Sequence, residues 1–245
     1  MAEFVQGRPA VASFSDEFEG SALDTSVWST AYWWGRGDVA RSELQYYAED
    51  AFVVRDSVLR IVAERRARGP FAFTSGIITS LGQFAGTYGR YEVRARVPAG
   101  RGLFPAVWLL HHSRAHPFEV DIFEVLGNDP CTVHMTHHWR DTQGAMQQRS
   151  GSYMGPDFSA AFHTFAVEWR ASSLVWFVDG TERFRSEIGV PDRPLYVLAN
   201  LAVGGPWAGS PDAQTRFPTT LDIDYVRVSG CASVLRGDRS RWDEA

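Results

Sequence analysis

Long hydrophobic runs are absent from the 245-residue sequence. No stretch approaches the roughly 20 apolar residues of a membrane-spanning helix. The first residues, Met1 to Val5, have neither a basic flank nor an apolar run, so they do not resemble a signal peptide. The sequence therefore predicts no membrane association. The protein is expected to be either cytoplasmic or secreted with a signal peptide that is missing from this chain.

Cysteine is equally scarce, since Cys131 and Cys231 are the only two. Two cysteines cannot form a zinc ribbon or a disulfide scaffold, and whether they pair is left open. An excess of positive charge is also missing, because 24 Lys and Arg face 29 Asp and Glu for a net charge of −5. This balance argues against nucleic acid as a partner. The basic cluster 65–68 is too short to change it and is interpreted as a solvated strand end or loop.

Helical periodicity is missing too, and alternation with a period of two takes its place. In residues 90–97 every second residue is apolar and the others are all charged, which predicts a strand with one buried face. The dipeptide Asp179-Gly180 predicts a hairpin turn. Further strands are predicted at 58–64, 162–169, 174–178, 181–184, 195–203 and 221–228.

Many short strands separated by turn residues indicate an all-β sandwich or barrel. Because no repeat or linker is visible, we expect one domain over residues 1–245, with a core at about 12–229. The polar tail, 230–245, is expected to be loosely held unless Cys231 is bridged. The 16 Phe, 9 Trp and 8 Tyr belong mostly to this core, although a surplus of Trp also suits a cleft that binds sugar rings.

Three acids interrupt the apolar segment 118–125: Glu119, Asp121 and Glu124. In a regular strand Glu119 and Asp121 share a face, and Glu124 points to the opposite one. One extra residue in a β-bulge between Asp121 and Glu124 brings all three acids onto one face. The spacing therefore predicts a bulge, a feature that often re-aims side chains next to active sites.

Neighbouring carboxylates repel one another, and their pKa values are driven apart. Glycoside hydrolysis uses such a split, since one carboxylate attacks while its protonated partner releases the leaving oxygen. The buried opposite face and the lack of Lys or Arg within the row favour catalysis. A solvated strand face without a function and a site for a divalent cation remain as alternatives.

Several further segments occur in an order that is typical of one enzyme family. They are SDEF (15–18), SELQYY (42–47), TSG (74–76), TYGR (87–90), PAVW (105–108), THHW (136–139), FVDG (177–180), NLAVGG (200–205) and DYVRV (224–228). With the E-x-D-x-x-E row, they make the chain resemble glycoside hydrolase family 16, and within it the laminarinase-like endo-β-1,3-glucanases, from about Phe14 to Val228. The resemblance implies a concanavalin-like β-jelly-roll sandwich with an open cleft on its concave face, and an anomer-retaining double displacement without a catalytic cofactor.

The resemblance also implies roles for individual residues. Glu119 is expected to be the nucleophile, Glu124 the general acid/base, and Asp121 the assisting acid between them.

Four further residues match positions that contact the substrate in this family. Trp108 is expected to stack near the cleavage point, and His138 to lie close to the acid/base on the leaving-group side. Arg90 and Trp207 are expected to contact sugars in minus subsites.

The family resemblance implies a structural calcium ion on the convex face, bound by Glu17, Asp224 and a backbone carbonyl near Ser57. Carboxylate and carbonyl oxygens are suitable ligands for this ion. The three histidines His111, His112 and His116 are interpreted as a loop at the cleft rim rather than as a metal site.

The expected substrate is a β-1,3-linked glucan, and the expected protein is a secreted monomer. Departures from the family pattern at Phe104, Pro206 and residues 41–42 lie around the cleft, so a mixed-linkage glucan or a galactan of the agar type is an alternative substrate. A glucan-binding protein without catalysis is a further alternative, which the three intact acids argue against.

Overall fold

The computed structural model describes residues 12–37, 42–113 and 118–237, and the regular elements in these residues are all strands. None of the described residues forms a helix that could cross a membrane. The strands are β1 (Ala12–Asp16), β2 (Gln45–Tyr47), β3 (Phe52–Arg55), β4 (Val58–Ala63), β5 (Phe73–Ser75), β6 (Ile77–Thr79), β7 (Phe84–Thr87), β8 (Gly89–Arg96), β9 (Leu103–Leu110), β10 (Glu119–Leu126), β11 (Asp129–Arg140), β12 (Met146–Met154), β13 (His163–Arg170), β14 (Ser173–Val178), β15 (Thr181–Ser186), β16 (Tyr196–Val203), β17 (Thr219–Ser229) and β18 (Ser233–Arg236).

Two antiparallel sheets contain most of these strands. The eight-stranded sheet has the order β15-β14-β13-β8-β17-β4-β3, with β1 paired to β17, and the six-stranded sheet has the order β12-β11-β10-β9-β16-β6. One continuous hydrophobic core lies between them and takes buried side chains from both. The predicted all-β jelly-roll sandwich is confirmed.

The alternation that predicted the strands is visible in their burial. Side chains in β8 alternate between buried and half-buried along its whole length, as expected for a strand with one face in the core. At the predicted hairpin, Asp179 and Gly180 both adopt positive φ angles, 49° and 73°, and join β14 to β15. Positive φ at both central residues is the conformation of the type I′ turn, which fits the twist of a two-stranded hairpin.

The C-terminal tail differs from its prediction. Residues 233–236 form β18, which pairs with β7 along its full length, so the chain is held well beyond residue 229. Main-chain pairing with the buried strand β7 does this without a disulfide, since Cys131 and Cys231 are both free thiols. The prediction of a loosely held tail is wrong for these residues.

Candidate active site

The acid row lies in β10, in the middle of the six-stranded sheet, between β9 and β11. In the register between β10 and β11, Glu119 of β10 lies opposite His138 and Glu124 lies opposite His134. Four steps along β11 therefore correspond to five along β10. The register shift falls between Asp121 and Glu124 against β11, and between Asp121 and Phe123 against β9. The predicted bulge is confirmed, and it places all three acids on the outer face of the sheet.

Burial differs among the three acids. Asp121 is 3% exposed, whereas Glu119 and Glu124 are half-buried at the floor of an open cleft. Burial, together with the charges of Glu124 and Glu119, raises the pKa of Asp121 well above its ordinary value. Burial and the Glu119 charge raise the pKa of Glu124 to about 7, although a hydrogen bond from Thr136 opposes the shift. Both acids therefore hold a proton more tightly than an ordinary carboxyl group.

His138 approaches the row from β11. Its Nε2 atom lies 3.7 Å from Oδ2 of Asp121 and 4.0 Å from Oε1 of Glu119. Burial lowers the pKa of this histidine, so a neutral ring is favoured. The family resemblance placed His138 beside the acid/base, and it does share a groove with Glu124, but the shortest distances lead to the other two acids.

One group of potential metal ligands occurs among the described residues. Ligand atoms of Glu119, Asp121 and His138 lie within 4.8 Å of one another. The cation alternative for the row is therefore compatible with this spacing, and a chelator can test it.

Aromatic side chains form the wall of the cleft on the β9 and β16 side. They are Tyr32, Trp33, Trp34, Phe104 and Trp108. Trp108 pairs with Asp121 in the register of β9 and β10. Its indole N–H donates to Oδ1 of Asn200 at 2.9 Å, and the Asn200 amide donates to the Tyr47 hydroxyl at 3.1 Å. The Trp108 ring is thus fixed beside the acids, and its stacking on a sugar near the cleavage point stays a prediction.

A second groove continues the cleft on the other side of the row. Glu124, His138 and Trp207 line it together with Gln148 and Ser150 of β12. Trp207 is 49% exposed, and its ring packs against Phe104 and His134. The prediction placed Trp207 on the minus side; the structure places it between Phe104 of the aromatic wall and the groove that it shares with Glu124.

Arg90 does not line the cleft. It lies in β8 of the eight-stranded sheet, where its guanidinium pairs with Glu92 at 2.7 Å and Glu168 at 3.1 Å. The prediction of a sugar contact at Arg90 is wrong, because the wet face of β8 belongs to the sheet that does not contain the acid row.

The residues predicted to bind calcium have other partners. Arg227 donates two hydrogen bonds to the Glu17 carboxylate, at 2.8 and 2.7 Å, and Arg94 donates to Asp224 at 2.5 Å. Guanidinium groups occupy these oxygens, and their positive charge opposes a cation. The arrangement does not fit the predicted calcium site.

The predicted histidine loop is only partly described, since His116 lies outside the described residues. His111 and His112 are buried, with ring centroids 4.3 Å apart, and His111 lines the cleft. The place of His111 beside the cleft agrees with the predicted rim loop, whereas the burial of both rings was not expected.

The cleft residues that were not predicted to have a role include two polar ones, Glu43 and Asn200. Glu43, within the SELQYY segment, lines the aromatic part of the cleft, and its carboxylate accepts a hydrogen bond from the Gln45 amide at 2.6 Å. Asn200, within the NLAVGG segment, holds Trp108. Both lie in segments that carried the family resemblance, so an unexplained polar residue inside such a segment was the available signal.

Comparison with known proteins gives a consistent result. The family described as Glycosyl hydrolases family 16 matches residues 43–227. The "Beta-glucanase" of Rhodothermus marinus is 34% identical over 243 residues, a match that covers 88% of this chain and 83% of the relative. "Endo-1,3-1,4-beta-glycanase EglC" of Rhizobium meliloti (strain 1021) is 33% identical over 239 residues, covering 88% of this chain and 51% of the relative. This chain thus spans only about half of the Rhizobium protein.

Solved structures agree with this match. The laminarinase catalytic domain of Thermotoga maritima MSB8 superposes with a TM-score of 0.81 at 30% identity. The superposition covers 92% of this chain and 100% of that one.

Proposed function

Since the chain belongs to glycosyl hydrolase family 16, we propose that it is an endo-acting hydrolase of β-1,3-linked glucan, with Glu119, Asp121 and Glu124 as its catalytic residues. The observation that carries this proposal is the bulge in β10, which aligns the three acids at the floor of an open cleft and leaves Glu124 with a pKa of about 7. An acid that is half protonated at neutral pH suits proton transfer in both directions.

In the first step the glucan lies across the row with one glycosidic bond over the acids. Protonated Glu124 donates its proton to the glycosidic oxygen, while the Glu119 carboxylate attacks the anomeric carbon from the opposite face. The bond to the leaving chain breaks, and a covalent glycosyl ester forms on Glu119. In the second step Glu124, now ionised, takes a proton from water as the water attacks the same carbon. Glu119 is released, and the product keeps the β configuration.

Asp121 acts between the two glutamates. Its raised pKa favours the protonated form, whose O–H can donate a hydrogen bond to the Glu119 carboxylate. This hydrogen bond orients the nucleophile without adding a third negative charge to the row.

The two parts of the cleft have different roles in this scheme. Glu124 borders both parts of the cleft, and we propose that the groove it shares with His138 and Trp207 binds the leaving part of the chain. The aromatic wall around Trp108 binds the part that becomes attached to Glu119. Sugar rings present apolar faces to such aromatic side chains, and Glu43 can accept hydrogen bonds from their hydroxyl groups.

The choice of a β-1,3-glucan rests on the relatives and neighbours, whose names include beta-glucanase and laminarinase. The test is reducing-sugar release from laminarin, lichenan, agarose and galactan. We expect the highest rate with laminarin. A higher rate with agarose or galactan would replace the proposed substrate while keeping the mechanism.

Glu119→Gln and Glu124→Gln, which keep the size of each side chain, are the matched variants. Each should lower the rate by about a thousandfold or more, because one removes the nucleophile and the other the proton donor. Binding of laminarin without hydrolysis by the parent would favour the non-catalytic glucan-binding alternative. NMR of the first products should show the β anomer, and an initial α anomer would rule out the retaining mechanism.

We further propose that the chain acts outside the cell as a single-domain monomer, because a polymeric glucan does not cross a membrane to reach a cytoplasmic enzyme. Fractionation of the source cells and light scattering of the purified protein test these points. Activity confined to the cytoplasm, or a dimer mass, would contradict them.

A further inference from the structure

A fully buried tryptophan on the opposite sheet contacts the acid row from behind. Trp176 lies in β14 of the eight-stranded sheet, and its indole N–H donates to the backbone carbonyl of Asp121 at 2.8 Å. The bond crosses the core of the sandwich. It connects one sheet to the strand that carries the acids, at the residue where the bulge begins.

The bulge explains why this carbonyl has a side chain as a partner. An extra residue disrupts the local ladder and leaves a peptide group without its regular partner across the strands. A buried carbonyl without a hydrogen bond is costly, by about 1–3 kcal/mol. The Trp176 indole, which has only a donor and is itself buried, satisfies both groups at once.

Trp176 is held firmly enough to act as a fixed point. Strand β14 pairs with β13 on one side and β15 on the other. The indole ring packs against Phe184, with centroids 4.9 Å apart, and lies 5.9 Å from the His137 ring of β11. Its position is therefore set by both sheets rather than by β10 itself.

We infer that Trp176 is a positioning residue for catalysis: its indole N–H fixes the Asp121 carbonyl and thereby the bulge that sets Glu119 and Glu124 at their working separation. The inference rests on the proposed function of the acid row. A retaining glycosidase needs its two carboxyl groups about 5–5.5 Å apart, so a small relaxation of the bulge changes the chemistry. Substrate binding depends on the aromatic wall and the second groove, which the relaxation leaves in place.

The test is Trp176→Phe, which keeps an aromatic ring and removes the donor. Trp169→Phe is the matched control, because Trp169 is also fully buried, lies in the neighbouring strand β13, and donates its indole N–H to a backbone carbonyl, that of Pro191, at 2.9 Å. Both changes remove one buried hydrogen bond and comparable volume. Only the first acts on the bulge.

We expect Trp176→Phe to lower kcat on laminarin about tenfold to a hundredfold with little change in KM, since small misplacements of catalytic groups have effects of this size. Trp169→Phe should lower the unfolding midpoint to a similar extent and leave kcat within about threefold of the parent. Equal kcat values for the two variants would overturn the inference.

Two further measurements keep the test decisive. Replacing the Trp176 indole with benzothiophene, as in β-(3-benzothienyl)alanine, keeps the shape and deletes only the N–H, so the same loss of kcat is expected in a well-folded protein. The pKa of Glu124, followed by carbon NMR, should fall in Trp176→Phe as Glu119 moves away, and should stay unchanged in Trp169→Phe. This pKa does not depend on turnover. Failure of the parent to cleave any glucan therefore counts against the proposed function, whereas an unchanged pKa counts against the role of Trp176.

Discussion

The outer faces of the two sheets both carry acids, but the partners of these acids differ. On the eight-stranded sheet each of several carboxylates is paired with an arginine: Glu17 with Arg227, Glu92 with Arg90, Asp222 with Arg96 and Asp224 with Arg94. On the six-stranded sheet the acids of the row face one another and a histidine whose own pKa is lowered by burial.

The electrostatic result differs accordingly. The Arg227 guanidinium lowers the pKa of Glu17, whereas burial and like charge raise the pKa of Glu124 to about 7. A paired carboxylate stays ionised and contributes modestly to stability. A carboxylate beside other carboxylates exchanges protons near neutral pH, at a cost to stability. The partners of an acid, more than its presence in a strand, therefore decide whether it stabilises the fold, as on the eight-stranded sheet, or exchanges protons, as on the six-stranded sheet.

The largest contrast should come from removing one acid of the row. Glu119→Ala and Glu124→Ala should each lose activity about a thousandfold or more, whereas Glu92→Gln and Glu168→Gln on the other sheet should stay close to the parent. Azide should partly rescue both Ala variants on an activated glycoside. The expected product is the β-azide from Glu124→Ala and the α-azide from Glu119→Ala, because only the former still forms the glycosyl ester. The opposite configurations would exchange the proposed roles.

The next contrast lies in pH dependence. The folded-state pKa of Glu124 is about 7 against an ordinary value of 4.5, so the folded protein holds this proton more tightly than the unfolded chain. The stability that this group contributes is therefore complete below about pH 4.5 and is lost as the pH rises through 7. Hydrolysis should fall over the upper part of the same range as the acid loses its proton.

Glu124→Gln should abolish this pH-dependent loss, so the variant should gain stability relative to the parent as the pH rises from 5 to 8. Urea unfolding at several pH values measures the difference, with Glu92→Gln as the control from the paired face. A constant difference between Glu124→Gln and the parent across this range would contradict the raised pKa.

A smaller effect is expected at Trp108. Trp108→Phe keeps an aromatic face in the cleft but loses the hydrogen bond to Asn200. A buried hydrogen bond of this kind contributes about 1 kcal/mol, so KM for laminarin should rise about fivefold with kcat nearly unchanged. Initial-rate kinetics test this. A fall in kcat with unchanged KM would indicate that Trp108 acts in the chemical step rather than in substrate binding.

The smallest effect is expected where an arginine of the eight-stranded sheet loses its carboxylate partner. Glu17→Gln should lower the free energy of unfolding by about 0.2–1 kcal/mol and leave activity unchanged. Neither calcium nor EDTA should alter the parent's melting temperature or its activity. A calcium-dependent rise in melting temperature that disappears in Glu17→Gln would restore the predicted calcium site, and a loss of activity with EDTA would favour a cation at the acid row.

Local patterns were sufficient to predict eight of the 18 strands, β4, β8, β10 and β13 to β17, and the position of the acids. Alternation in residues 90–97 and the dipeptide Asp179-Gly180 act over short distances, and the spacing of Glu119, Asp121 and Glu124 already required a bulge. Strand β18 was missed because four residues, with Val234 and Leu235 at its centre, are too few to show a period, and its pairing with β7 is a long-range contact.

Errors arose where the answer depended on which sheet a strand joins. Alternation indicates that Arg90 faces solvent, but it does not indicate which of two solvent faces carries the cleft. Trp176 was similarly invisible, because its bond to the Asp121 carbonyl crosses the sandwich between residues 55 apart in sequence. Local patterns predict which side chains of a strand face solvent, whereas contacts such as that of Trp176 depend on how the two sheets pack.

The surplus residue in β10 also bears on how such a site can change by evolution. Deleting either Ile122 or Phe123 would turn E-x-D-x-x-E into E-x-D-x-E, in which three acids share one face of a regular strand. The register of the rest of β10 against β9 and β11 would survive, because each partner strand already has only one residue, Val107 or Met135, opposite Ile122 and Phe123. Loss of a single codon would therefore turn the bulged strand into a regular one with all three acids still on the same face. The Asp121 carbonyl would then no longer require the Trp176 indole as its hydrogen-bond donor.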